Sequence, residues 1–507
     1  MEEKKTSVAA PAGCATIPVK TAPAKTRKVI MVFMAVLVLI AFQSLHFSSD
    51  LTPVGQALIS TLLFMLVIWI SEAVGYATSS FFLIVALALL VGFSPDIATG
   101  KIVGVNKGLS MALSGFSSSA WILVVAALFL SSAIEMSGLG QRIGLFILTR
   151  MGAKPRQVRL GILVMAFVLT LFIPAQAANA ALMTAVCVGI IEAFKIDRKD
   201  NLAKGMLLLV AFGTGIAGMG VLTSGAPPIQ TAQFISQATK HTITWLEWAK
   251  YGVPFSLAVG AVLFILVEVL FPVGKEELAG GRAALRQELA KRGPLCAKER
   301  NLLIIMVVTI GLWATGSILH PIDSSTVALM AVVAMFCPGI SVANWKEMSG
   351  RVNWGTLMLF GAAISLGQAL LSSGAAAWVA KSTIITLGVG SWPSILLIGA
   401  AGLFFAIFAL AFSARSAAVA ALVPTAIGFA QGLPDSGLSV WGLTLILYYN
   451  IQFSVILPVN TPMSMVAYST DTFSSREMMK VGIPLIGAAV LLMMLFSATY
   501  WRWVGVL

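Results

Sequence analysis

Arg415 carries the charge that most needs explaining in this sequence. It stands in the apolar run AFSARSAAVAALVP, and no Asp or Glu falls between residues 400 and 434. A cation placed mid-bilayer costs about 2.5–3.5 kcal/mol or more unless it is paired or hydrated. Two kinds of partner would answer that cost. One is an anion brought in from solution, since the planar guanidinium fork suits carboxylate and sulfonate oxygens. The other is a set of carbonyl groups at the end of a neighbouring helix. Gln176 occupies the matching place in a similar earlier run, IPAQAANAALM.

Each of these runs is followed, after nearly equal spacing, by a Gly/Pro break: SGAPPIQ after Gln176 and VNTPMS after Arg415. Proline removes a backbone donor and halts the helical ladder, so Pro227, Pro228 and Pro462 mark helices broken within an apolar segment. A half-helix beginning there presents unpaired N–H groups and a partial positive charge, which favour an anion. The candidate binding residues are therefore Gln176, Asn179, Ser413, Arg415, Ser416, Ala226, Pro227, Thr461 and Pro462. Thr223, Ser224, Asn460 and Ser464 are weaker candidates, since any break also needs helix caps.

The elements that would position these residues lie in a bilayer. Of 507 residues, 58% are hydrophobic and 10% charged, against about 25% charged in a soluble chain. Spans are expected at about 29–46, 54–72, 78–94, 118–137, 205–235, 249–272, 301–319, 325–341, 354–373, 439–470 and 480–504. The stretches 160–193 and 392–431 are long enough to enter and leave, and small and polar residues interrupt each in its middle. Both are read as re-entrant hairpins. The fold class is thus an all-α membrane protein with about 11 transmembrane helices plus two re-entrant hairpins in two inverted repeats. The domains would be a disordered cytoplasmic tail at 1–28, span 1 with the first repeat at 29–272, a charged linker at 273–300 suited to a surface amphipathic helix, and the second repeat at 301–507. Interrupted helices at corresponding places in two inverted halves mark the binding site of a secondary transporter.

Charge distribution orients the chain. Of 33 basic residues, Lys101, Lys107, Lys240, Lys250, Lys381 and Arg502 fall in segments on one side, Arg415 falls in an apolar stretch, and the rest fall on the other side. By the positive-inside bias the N-terminus is cytoplasmic and the C-terminus external in a multi-pass inner-membrane protein. The formal charge of +13 then reports topology, not nucleic-acid binding. Glu72, Glu135 and Glu268 fall near cytoplasmic span ends and read as interfacial. The four cysteines (Cys14, Cys187, Cys296, Cys337) have no metal spacing, and His46, His241 and His320 sit near span ends. There is no HExxH, so an intramembrane enzyme is disfavoured, and loops this short disfavour a receptor.

The paired hairpins, SGAPPIQ and VNTPMS, and the ending AYSTDTFSSREMMKVGIPL resemble the divalent anion/sodium symporters, carriers of dicarboxylates, citrate and sulfate. The resemblance covers most of the chain after the tail. It implies a homodimer with a scaffold part and a moving part that works as an elevator. The family's hairpin tips carry Ser-Asn-Thr; here they read Ala175-Gln176-Ala177 and Ala414-Arg415-Ser416. Those family residues hold substrate and sodium. A cation beside a sodium site repels it, so the second site is expected to be absent, with Arg415 supplying its charge. A weak sodium site near Gln176, Gly220 and Gly225 is what the resemblance leaves for the first; no other cofactor is expected. The function expected is transport of a di- or tricarboxylate, sulfonate or sulfate, with exchange, proton coupling or facilitated transport open in place of sodium symport. The alternative is carriage of another solute, by cation/proton antiport or arsenite efflux.

Overall fold

The computed structural model describes residues 22–45, 50–96, 99–278, 280–388, 392–433 and 437–507. Most of the N-terminal tail, with Cys14, lies outside the described residues, as does His46. Helices α1 (Ala22–Ser44), α2 (Pro53–Ser71), α3 (Tyr76–Phe93) and α4 (Val105–Leu113) come first. They lead into α5 (Ser119–Ser137), α6 (Leu139–Met151), α7 (Pro155–Phe172), α8 (Gln176–Ala193), α9 (Asn201–Met219), α10 (Ala226–Thr239) and α11 (Trp245–Leu270). The linker holds α12 (Gly281–Ala290), and α13 (Ala297–Thr315), α14 (Ser324–Phe336) and α15 (Trp345–Ser349) follow. The series then recurs as α16 (Trp354–Ser372), α17 (Ala375–Leu387), α18 (Ser394–Ala409), α19 (Arg415–Gln431), α20 (Val440–Phe453), α21 (Pro462–Tyr468) and α22 (Ser475–Ala498), with a final turn α23 (Tyr500–Trp503). No strand occurs among the described residues.

The repeat is written into local stereochemistry. Gly138 joins α5 to α6 at φ 75°, and Gly374 joins α16 to α17 at the same φ. A left-handed junction of this kind favours glycine, which has no Cβ to clash. Helices α11 and α22 both open on a capping box, Thr244 with Glu247 and Ser474 with Glu477, which satisfies two orphan amides reciprocally. Both hairpins turn over a few residues without regular structure, and Gln176 and Arg415 are each the first residue of the returning helix.

Inversion shows in what the equivalent helices line. The C-terminal half of α5 (Val124 to Glu135) and the N-terminal end of α16 (Asn353 to Leu359) face the same cavity. The segment leading into α5 and the C-terminal end of α16 face a second cleft. Equivalent helices therefore run antiparallel. Helices α2–α5 and α13–α16 pack mainly on one another, while α7–α11 and α18–α22 form a second group around α9. Helix α9 is buried along almost its whole length, as expected for a helix apolar all round.

Ten described helices are long and apolar enough to cross a bilayer, against eleven spans plus hairpins expected. The difference has local causes. Helix α13 begins with Lys298, Glu299 and Arg300, α14 has only 13 residues, and the second broken helix is cut into α20 and α21. Helices α7 and α8 of the first hairpin have 18 residues each. Helices α4, α6 and α17 occupy stretches expected to be loops. Each mixes apolar and polar residues and is too short to span, so no hydropathy run announces it.

Candidate substrate site

Four half-helices begin at one cavity of about 380 Å³. It is lined by the first tip (Pro174 to Ala178), the first break (Gly225, Ala226, Pro227), the second tip (Ala414, Arg415, Ser416) and the second break (Pro462, Met463). The N-termini of α8, α10, α19 and α21 thus converge on one space. Three of these ends lack a side-chain cap: Ala175 precedes α8, Gly225 precedes α10 and Ala414 precedes α19. Helices commonly start on Ser, Thr, Asp or Asn, whose oxygen takes up an orphan amide. At α8 and α19 the alanine leaves those amides for something else, and helix N-termini with free amides attract anions; α10 opens Ala226-Pro227-Pro228, whose prolines carry no amide. The fourth end is capped, because Thr461 Oγ1 accepts from the Ser464 amide at 3.1 Å.

Arg415 is 4% exposed. Its Nη2 donates to the Ser454 carbonyl and its Nη1 to the Ala409 carbonyl at 3.4 Å. Ala409 ends α18 and Ser454 caps the C-terminus of α20. The guanidinium therefore sits where the negative ends of two helices meet, and it makes no ion pair among the described residues. Of the two partners open to it from sequence, carbonyl groups take the Nη atoms. Nε keeps no partner.

At the first tip the Gln176 amide packs against Gly218 near the C-terminal end of α9, leaving no room there for a β-carbon. Its Nε2 reaches Ser224 Oγ at 3.5 Å, and Ser224 Oγ donates to the Gly218 carbonyl at 2.8 Å. A side-chain nitrogen thus stands near the carbonyl end of the broken helix at both tips, neutral at the first and charged at the second. Gly225 lines the cavity, whereas Gly220 packs on Val253. No group of His, Cys, Asp or Glu that could hold a metal occurs among the described residues.

The remaining candidates divide by position. Ala226, Pro227, Ser416 and Pro462 line the cavity. Asn179 and Thr461 do not. Asn179 Nδ2 donates to Thr170 Oγ1 at 3.2 Å, tying α8 to α7 within the hairpin. Asn460 accepts from the Ile456 and Leu457 amides and donates to the Leu410 carbonyl at 2.7 Å, tying the second break to the second tip. Ser413 is hydrogen-bonded to Tyr76 and to Glu72.

Several residues enter the site that were not singled out from sequence. Tyr76, Ser131, Ser132, Glu135, Arg351, Asn353 and Thr356 form the opposite wall. Glu135 and Glu72 are exposed at the ends of α5 and α2, and there Glu135 lines the cavity while Glu72 bonds Ser413 beside the second tip. Glu268 pairs with the fully buried Arg159 at 2.9 Å. Only a helical spacing along α5 (Leu128, Ser131, Ser132, Glu135) could have flagged a shared face.

Residues 25–507 match the family model described as the sodium:sulfate symporter transmembrane region. A membrane protein of Cupriavidus necator is 36% identical over 93% of this chain and 92% of its own length. The citrate/succinate antiporter of Escherichia coli is 26% identical over 74% of this chain and 77% of its own. Among solved structures, the YdaH transporter of Alcanivorax borkumensis superposes with a TM-score of 0.55 at 12% identity, covering 84% of this chain and 99% of that one. With a match that runs from the first membrane helix to the last residue, the chain belongs to the divalent anion/sodium symporter family.

Proposed function

We propose that this protein exchanges small organic anions, di- or tricarboxylates with sulfonate or sulfate in the same charge class, across the inner membrane by alternating access. The observation that carries this reading is one cavity at which four half-helices begin, two of them, α8 and α19, with uncapped amides. Such an end favours an anion through its partial positive charge, and the relatives' names place carboxylate exchange within the family. Ala226, Pro227, Ser416 and Pro462 would contact the anion directly, with the free amides of α8 and α19 taking its oxygens. Gln176 would donate to it or hold the first tip in shape. Ser413, Asn179 and Thr461 would position the tips.

Arg415 would act as a built-in cation. A sodium ion held by carbonyl ends and a guanidinium held by the same ends supply the same positive charge, and both would not fit together at low effective dielectric. The group around α9 would travel as an elevator against the α2–α5 and α13–α16 frame, in a homodimer. The rival cation/proton antiport needs a carboxylate shielded within the membrane; Glu135 lines the cavity but is exposed at its mouth, which favours the anion reading.

The test is exchange in proteoliposomes. Vesicles preloaded with succinate should take up labelled succinate at the same rate with and without sodium, and empty vesicles should take up little. Uptake into empty vesicles that rises steeply with an inward sodium gradient would sink the reading.

A further inference from the structure

A second cleft, of about 640 Å³, opens at the other end of the frame helix α16. Residues Asn353 to Leu359 of α16 face the cavity described above, and Gln368 to Ser372 face this cleft. The two are separated by about two and a half turns of helix, or roughly 13 Å at 1.5 Å per residue. Between them α16 is sealed by aromatic rings: Phe116 lies against Gly361 and the buried Phe234 against Gly367. The cleft is walled by the frame (α4, the turn after it, and α16) and by α10 and α19 of the inner group.

Its chemistry differs from that of a lipid-facing crevice. Lys107 and Ser110 stand three apart on α4, with Ser114 a further turn on, and these share one helix face. Gln237, Gln368 and Gln431 supply amides from three other helices. The Ser114 hydroxyl lies 2.9 Å from both the Met111 carbonyl and the Gln368 side-chain amide, and has one proton to give. Lys107 is the one charged residue lining the cleft; it is exposed and forms no ion pair among the described residues. A lone ammonium with amide and hydroxyl groups in a concave site attracts an anion.

Inverted repetition gives this arrangement a counterpart. The first cavity also has an exposed basic residue at its mouth, Arg351, in the segment leading into α16, as Lys107 lies in the segment leading into α5. Each cavity thus has one exposed basic residue at its rim that forms no ion pair among the described residues, contributed by the frame. We propose that the Lys107 cleft is an anion-loading site on the face opposite Glu135 and Arg351, which captures carboxylate or sulfate before it reaches the tips. The inference rests on the anion-transport reading and adds to it a site specific to one face.

The experiment compares labelled succinate exchange in whole cells and in inverted membrane vesicles for wild type, K107Q and K107R. A single fixed charge at the mouth concentrates a dianion locally, so K107Q should raise the KM by about five-fold from one face only. The KM from the other face should hold, and K107R should restore the first. An unaltered KM from both faces, or an equal rise from both, would overturn the loading site while leaving exchange itself standing. A wild-type protein that moves neither succinate, citrate nor sulfate from either face would remove both readings.

Discussion

Replacing Arg415 should separate its charge from its shape. The guanidinium lies at the first turn of α19, at the edge of the cavity, with both Nη atoms on helix-end carbonyls. For an anionic oxygen taken at about 6 Å from the guanidinium, a unit charge at an effective dielectric of about 20 contributes about 3 kcal/mol. At about 1.4 kcal/mol per decade this is roughly a hundredfold in affinity. R415A and R415Q should therefore raise the KM for succinate exchange by about two orders of magnitude. R415A also leaves two carbonyls without a charged donor, at about 1.5–3 kcal/mol per bond, so its unfolding temperature should fall. R415K keeps the charge and loses the fork. It should recover most of the affinity but only part of the stability. The assay is exchange in proteoliposomes at saturating internal succinate, normalised to folded protein. If R415Q, folded in wild-type yield, exchanges with a KM within two-fold of wild type, the charge does not serve the anion and the residue is a structural cap. Should R415A instead acquire sodium-dependent uptake, the built-in-cation reading would be strengthened.

Two further predictions rest on other parts of the fold. G367A places a β-carbon into the Phe234 ring, and overpacking of this kind costs about 1–3 kcal/mol. The cost falls only on the packing in which α10 lies against this part of α16, so a cysteine at Ser372 in the second cleft should react faster with an impermeant thiol reagent in G367A, with native cysteines removed; an unchanged rate would show that the contact does not govern access. At the linker, Arg142 clamps Glu299 with Nε at 3.1 Å and Nη2 at 3.0 Å. Burial alone would push the Glu299 carboxyl up, but the bonds from Arg142 and from the Cys296 amide outweigh it and hold it below the ordinary range. A depressed folded value means stability that is present above the unfolded value, about 4.3 for a glutamate, and that is lost as pH falls through the folded value. E299Q should therefore unfold below wild type at pH 7 and converge with it at more acidic pH; a gap that stays constant down to pH 3 would refute the linkage.

Local chemistry was enough to reveal the repeated architecture. The runs around Gln176 and Arg415, and the breaks at Pro227 and Pro462, are legible because backbone rules act over a few residues: proline stops a ladder, and apolar length sets a span. The short helices α4, α6 and α17 were not legible, since neither length nor hydropathy separates them from loops. The contacts of the acidic residues were not legible for a related reason. Glu72 and Glu135 are near span ends in sequence, yet which tip or cavity they meet depends on how distant helices fold against each other.

The sequence by itself determined that this chain lives in a bilayer, that its halves repeat, that each half turns at a small-residue tip, and that one tip carries a cation without an acidic neighbour. Each follows from the cost of apolar or charged groups in a given solvent, which composition and spacing already contain. Only the tertiary structure decided that four helix N-termini share one cavity and that Asn179 and Thr461 stay out of it. It also gave the Arg415 guanidinium its partners, the carbonyls of Ala409 and Ser454. Ser454 is 39 residues away along the chain, on a different helix, and no local pattern encodes which helix end a buried cation will meet. That choice is made by packing, which brings the negative ends of α18 and α20 to the place where the Arg415 charge is satisfied.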